Sequence, residues 1–322
     1  MPEAFLRIGT RTVAVCVFLL LIAGALVTST QSGLAVPDWP LSYGKVMPPM
    51  VGGILYEHGH RLIAAAVSTL VGLELGALLF LLKGRRTVKR LAAAAFAAIL
   101  LQALLGGLTV LFLLPPAISS AHAALAEIVF ALTAVVALMC SKTWQTELAA
   151  RPTSPPPLSL EENPKISLNG EKAKTALRWT VLAAGAVFVQ IVLGAVMRHT
   201  GAGLAIPDFP TSFGHFFPSF AEISSPGAPI HLAHRMGALA VVLLVLLAAK
   251  ALSGLEAPFA TAGAAWAGLV CLQAFLGASS IWSGKAVPLT VAHLAVGALC
   301  WVIGVLASVA LAAGFSDKLA RD

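Results

Sequence analysis

The sequence predicts an all-α integral membrane protein: eight transmembrane helices arranged as two tandem, pseudo-symmetric four-helix bundles. Two observations predict it. The chain of 322 residues is 58% hydrophobic and only 11% charged, far too apolar for a water-soluble chain of that length. It also says nearly everything twice. Gly33-Leu34-Ala35-Val36-Pro37-Asp38-Trp39-Pro40 returns as Gly203-Leu204-Ala205-Ile206-Pro207-Asp208-Phe209-Pro210.

A helix needs about 20 apolar residues to cross a bilayer. Runs of that kind cover roughly 12–30, 54–82, 91–114 and 118–140 in the first half. In the second half they cover roughly 178–199, 230–252, 260–283 and 289–314. The first run follows Arg7 and Arg11 and is short, like a signal peptide. It lacks a small-x-small cleavage site before a polar domain, and its repeat partner at 178–199 is internal, so both read as spans. The second and sixth runs open on His60-Arg61 and His234-Arg235. The third and seventh carry Gln102-Ala103-Leu104-Leu105-Gly106 and Gln273-Ala274-Phe275-Leu276-Gly277, and the fourth and eighth open near His122 and His293.

These runs divide the chain into a half at 1–141, a polar linker at 142–177 and a half at 178–322. The linker holds Pro152, Pro155, Pro156, Pro157 and Pro164 among Ser, Glu, Asn and Lys. With the N-terminus in the cytoplasm, only Lys45, Arg61, Arg198, Arg235 and Lys285 of the 21 Lys and Arg fall outside. The positive-inside rule therefore predicts both termini cytoplasmic. Four spans per half make the repeat parallel, with its axis along the membrane normal. The basic residues are spread over short loops at helix ends, which leaves a nucleic-acid partner without support; the lipid bilayer is the expected surrounding.

His60, His122, His234 and His293 all fall in the first turn or two of even-numbered spans, at one depth near the outer face. Two inward imidazoles from two helices are a standard way to hold a haem iron in a bundle. Zinc, copper and non-haem iron sites want three or four converging ligands, often with carboxylates or thiolates. Two histidines per half favour bis-imidazole haem, and the plain alternative is hydrogen bonding to headgroups. Arg61 and Arg235 then have two available partners, a haem propionate or a lipid phosphate.

The halves differ at one place. Glu57 stands three residues before His60, where His231 stands three before His234; each shares a helical face with its histidine. A carboxylate at a haem edge can move protons or stabilise positive charge, or it can simply favour the helix N-terminus. This points to the first half for chemistry and the second for electron supply. His58 faces nearly the opposite side of the helix, and His199 and His215 read as surface groups. Glu74 and Glu127 are mid-span carboxylates for a proton path or an interhelical bond. The Pro-Asp-Trp-Pro and Pro-Asp-Phe-Pro segments read as stiff lids over the two pockets, with Trp39 and Phe209 as headgroup-level anchors. Gly106, Gly107, Gly194 and Gly277 suit close helix packing or a groove for a long tail. Cys16, Cys140, Cys271 and Cys300 lie in or at the ends of apolar runs, with no CxxC or CxxCH, so any haem is non-covalent.

Gly33 through Pro40, Glu57-x-x-His60-Arg61, His122, the second Pro-Asp-Phe-Pro, His234-Arg235 and His293 together resemble the haem A synthase family of cytochrome oxidase assembly. The resemblance covers nearly the whole chain except the linker and termini. It implies an oxidoreductase of the plasma (inner) membrane whose substrate is haem O. One ring methyl becomes a formyl group by successive hydroxylations and loss of water from a gem-diol. It implies that His60 and His122 flank the substrate haem, that His234 and His293 ligate a permanent haem b, and that Glu57 is the acidic residue of the catalytic site. A haem O synthase, oxidase-assembly proteins and an electron donor of unknown identity are the implied partners. Many bacterial relatives carry a cysteine pair in the first outer loop, and this chain has none. The alternatives are a di-haem b-type cytochrome that passes electrons without oxidising a haem, and a transporter or haem-handling chaperone built on the parallel repeat.

Overall fold

Eight long helices carry the chain back and forth, and each is long and apolar enough to cross a membrane. The computed structural model describes residues 2–144, 164–216 and 218–319. The helices are α1 Pro2–Ser29, α2 Gly53–Leu81, α3 Arg86–Leu111, α4 Pro116–Met139, α5 Pro164–His199, α6 Ala228–Ser253, α7 Ala257–Trp282 and α8 Val287–Leu319. At about 1.5 Å per residue even the shortest spans the roughly 30 Å of hydrocarbon. The chain is a multi-pass membrane protein.

Local chemistry sets where these helices begin. Pro116, Pro229 and Pro258 occupy the first two positions of α4, α6 and α7, where a missing N–H costs nothing and φ is already helical. Gly227 enters α6 at φ 80°. A Cβ there would stand 2.9 Å from the Ala202 Cβ, so both its backbone and the approach of the preceding loop call for glycine. Two helices begin well before their apolar runs: α1 starts at Pro2 rather than near 12, and α5 at Pro164 rather than near 178. Hydropathy marks only the part of a helix that lipid can cover, whereas backbone hydrogen bonding continues through charged residues of good propensity such as Glu171, Lys172 and Lys174. The predicted linker therefore gives up residues 164–177 to α5, and 145–163 lie outside the described residues.

In the first half α1 packs on α2, α2 on α3, α3 on α4 and α4 back on α1, leaving α2 and α4 diagonally opposed. Helices α5 to α8 repeat this ring. Between the halves α4 meets α5, α1 meets α8, and α4 meets α8. Exchanging α1 with α5 and α4 with α8 maps this set of contacts onto itself. The cores follow the same exchange. Phe18 of α1 stacks on Phe130 of α4 at 5.4 Å, and Phe188 of α5 meets Trp301 of α8 at 4.9 Å. One apolar cluster joins Val13, Val67, Ile99 and Phe130 to Ala298 and Val302 of α8. The Trp301 indole donates to the Glu127 carbonyl across the seam.

Candidate functional site: two pairs of histidines under two clamped loops

The diagonal helices of each ring carry the histidines: His60 on α2 and His122 on α4, then His234 on α6 and His293 on α8. All four rings are half-buried. Each lies on a glycine of a neighbouring odd-numbered helix, Cε1 foremost. A Cβ at Gly24, Gly106, Gly194 or Gly277 would meet the Cε1 of His60, His122, His234 or His293 at 3.2, 3.1, 2.9 or 3.1 Å. The glycines are thus seats for imidazoles, a role more specific than helix packing. Gly24 was not among the glycines that the sequence singled out. Its place opposite Gly194 in the repeat was the signal that could have found it.

The two pairs are held differently. His293 Nδ1 lies 3.1 Å from the Gln273 carbonyl, and His234 Nδ1 lies 3.0 Å from the side-chain amide of Gln190. The Nδ1 atoms of His60 and His122 are buried and have no hydrogen-bond partner. Gln102, the repeat partner of Gln273, donates its side-chain amide to the His122 backbone carbonyl, and its own backbone approaches the ring without a full hydrogen bond. Gln190 has no counterpart in the first half, where Leu20 takes its place.

The outer loops rest on the same helices. Glu57, only 4% exposed, accepts the Val36 amide at 2.7 Å with Oε2 and pairs with Arg61 at 2.6 Å through Oε1. Arg61 also donates to the carbonyls of Val36, Asp38 and Leu41. In the second half His231 Nδ1 accepts the Ile206 amide at 3.2 Å. Arg235 donates to the carbonyls of Ile206, Asp208 and Thr211 and to the Ser212 hydroxyl. Its guanidinium lies over the Phe209 ring at 5.6 Å. Val36 and Ile206 are fully buried under this clamp. The Nη atoms of both arginines thus serve the loops. One buried donor, Arg235 Nε, has no partner.

Within each loop an aspartate ties the turn. Asp38 accepts from the Tyr43 and Gly44 amides, and Asp208 from those of Phe213 and Gly214. The Gly44 and Tyr43 amides hold the Asp38 carboxyl below its ordinary 3.8. Burial alone would raise Asp208, but the Thr211 hydroxyl and the Gly214 and Phe213 amides outweigh it and bring the carboxyl down to about 2. Both Trp39-Pro40 and Phe209-Pro210 bonds are cis. Trp39 packs its indole on Gly107, where a Cβ would come within 2.7 Å, so that glycine seats a loop residue. Phe209 is held instead by Trp282, whose indole donates to its carbonyl.

The remaining residues fall outside the histidine pairs. His58 is buried beneath the first loop, with Nδ1 2.7 Å from the Ser42 hydroxyl. His215 is exposed, as a surface group should be, whereas His199 is half-buried and close enough to His122 to interact electrostatically. Glu74 Oε1 and Glu127 Oε2 are buried without partners, and their repeat positions in the second half are Ala248 and Ala298. No disulfide joins any of the four cysteines. Among the described residues no three His, Cys, Asp or Glu side chains converge. Each half thus offers two imidazoles on diagonally opposed helices, a donor set that fits the two faces of a haem.

Compared with known proteins, residues 52–305 match the model of the COX15-CtaA family, described as cytochrome oxidase assembly protein. The chain belongs to this family. Relatives named Heme A synthase include one from Shouchella clausii, 31% identical over 76% of this chain and 75% of its own. One from Halalkalibacterium halodurans is 32% identical over 74% of this chain and 73% of its own. A third, from Symbiobacterium thermophilum, is 31% identical over 77% and 76%. The family match runs from the start of α2 to within α8, so it takes in all four histidines, Glu57 and both clamping arginines.

Proposed function

We propose that this chain is a haem A synthase that oxidises a ring methyl of haem O to a formyl group, supplying haem A for cytochrome oxidase. The first half takes the substrate between His60 and His122. The second half holds a resident haem b between His234 and His293, and that haem supplies one-electron transfer. The observation that carries this division is the state of the four Nδ1 atoms. A metal-ligating imidazole donates its other N–H to a second partner; His293 Nδ1 has such an acceptor in the Gln273 carbonyl, and His234 Nδ1 is held by the Gln190 amide nitrogen. In the first half the His60 ring has no such partner, and the His122 ring has only the marginal approach of the Gln102 backbone; we assign this looser pair to the substrate.

The side chains around the first pair have defined tasks. Glu57 is the proposed catalytic carboxylate, poised by Arg61 beside the His60 face of α2. Its grip on the Val36 amide couples that carboxylate to the loop that excludes water. Arg61 has its charge balanced by Glu57. Arg235 has no carboxylate partner among the described residues and keeps a free Nε, so it is the better-placed cation for a haem propionate. We place the protein in the plasma membrane with both termini cytoplasmic, an orientation that the bias of its basic residues supports.

The test is to purify the protein from cells that also express a haem O synthase, extract the haems and resolve them by mass-detected chromatography. Haem A or its hydroxymethyl precursor is expected in the wild type, and is lost in Glu57→Gln while haem b remains. Only haem b in both, with haem O available, would establish an electron-transfer cytochrome instead.

A further inference from the structure

The two halves also meet through a cation. Arg198 lies in the last turn of α5 beside His199, one helical turn after the Gly194 seat. Its Nη2 crosses the seam to α1 and donates to the Ala25 carbonyl at 3.1 Å and the Ser29 hydroxyl at 2.6 Å. Ala25 follows Gly24, the seat of His60. One side chain thus links the helix that seats His234 to the helix that seats His60. The other two histidines are also in reach: the charge of Arg198 is felt at His293, and that of His199 at His122. The repeat makes no matching reach in the opposite direction. Thr28 holds the place of Arg198 in the first half, and its hydroxyl folds back onto the Gly24 carbonyl at 3.1 Å.

A helix C-terminus favours a cation, but that preference needs no bond to α1. Arg198 is half-buried and has no carboxylate partner among the described residues. Its Nη1 and Nε make no hydrogen bond there, yet neither is sealed off from a ligand. A guanidinium carries five N–H donors in a flat fork, so one edge can hold a helix while another receives a carboxylate. A charge among apolar spans calls for an anion. A haem brings two propionates, and Arg235 Nε is placed for only one of them.

We infer that Arg198 is a shared cation at the seam: Nη2 holds α1 beside the His60 seat, and the open donors take a propionate of the second-half haem, so that filling one site steadies the other. This rests on the proposed haem site of the second half. A seat already held in place costs less to order when a ligand arrives. Such coupling is reciprocal, so a ligand in the first half tightens haem binding in the second by the same factor.

The experiment titrates haem b, or its dimethyl ester with both carboxylates masked, into haem-depleted full-length protein and follows absorbance. Wild type, Arg198→Gln and Ser29→Ala are compared. The tighter phase belongs to the second half if His234→Ala removes it. In that phase the wild type should prefer the acid to the ester. Arg198→Gln should cut the preference about 10–100-fold, the worth of a charge-assisted hydrogen bond. Ser29→Ala keeps the guanidinium and should keep the preference. The weaker, first-half phase reads the coupling. In wild type it should be tighter by about 5-fold or more when the second half holds the acid rather than the ester. That gain should vanish in Arg198→Gln and shrink in Ser29→Ala. Preference and gain both unchanged in Arg198→Gln overturn the inference and leave the haem site standing; Arg198 is then a tie between α1 and α5, or serves a lipid phosphate if added anionic phospholipid stabilises wild type alone. If Arg198→Gln does not fold, Ser29→Ala decides, and an undiminished gain there overturns the inference. A tight phase that survives both His234→Ala and His293→Ala overturns the site assignment, and the inference with it.

Discussion

Helices α2 and α6 receive the same buried amide with different chemistry. Glu57 takes the Val36 N–H while paired to Arg61, and His231 takes the Ile206 N–H as an imidazole beside Arg235, which has no ion pair among the described residues. One turn further on, the order of support reverses. His60 and His122 have Nδ1 unpartnered, whereas His234 and His293 have it held. The frame of helices, glycine seats and clamped loops is common to both halves. They have diverged at polar atoms, where one altered side chain changes charge, tautomer or mobility without altering a helix. On the proposed reading, these polar differences separate a site that exchanges its ligand from one that keeps it.

The sharpest way to break this comparison is to remove ligands one half at a time. His234→Ala and His293→Ala should each abolish the tightly retained haem. His60→Ala and His122→Ala should leave it in place and abolish haem A formation. Absorbance spectra and extracted-haem profiles of the four proteins decide; equal losses in both halves would end the division of labour. Next in size is the clamp. Glu57→Ala leaves a buried guanidinium unpaired and should cost about 3–5 kcal/mol. His231→Ala leaves one buried amide unsatisfied and should cost about 1–3 kcal/mol. Thermal denaturation in detergent measures both, and a reversed order would show that the ion pair is not what steadies the first loop.

The histidine pairs and the duplicated loops were legible in the sequence because duplication prints them twice. So was the eight-span architecture, because lipid demands long apolar runs. The seats were not. The sequence marks Gly194 only as a packing or groove glycine and Gly24 not at all, because only the approach of a ring from the next helix gives either its task. The arginines show the same limit: their place after each histidine was plain, but the loop carbonyls they reach are separated from them by some 20 to 29 residues of chain. His199, read as a surface group, is half-buried, and the helices that cover part of it are not written in its local sequence.

A smaller effect tests the seats. Gly194→Ala, with its Cβ at 2.9 Å from His234, should cost more than Gly24→Ala at 3.2 Å from His60, within the roughly 1–3 kcal/mol of overpacking. Melting temperatures read the difference. The smallest effect concerns the loops in acid. Folded Asp208 binds its proton more weakly than the unfolded chain does, so its contribution is whole above about pH 4. It is lost as pH falls through about 2. Asp38 is lowered as well, by the Gly44 and Tyr43 amides. Tryptophan fluorescence should report both loops loosening in that window, and Asp208→Asn should remove the transition from the second loop.

The sequence by itself determined the class, the number of spans, the repeat and the four histidines, since composition and duplication are properties of the chain alone. Only the tertiary structure decided which nitrogen each ring presents to a partner, which glycine each ring rests on, and that Glu57 and His231 hold the same amide. Those are contacts between helices distant in sequence. Hydrogen bonds of 3 Å depend on how the helices are turned toward one another, and periodicity does not encode that rotation.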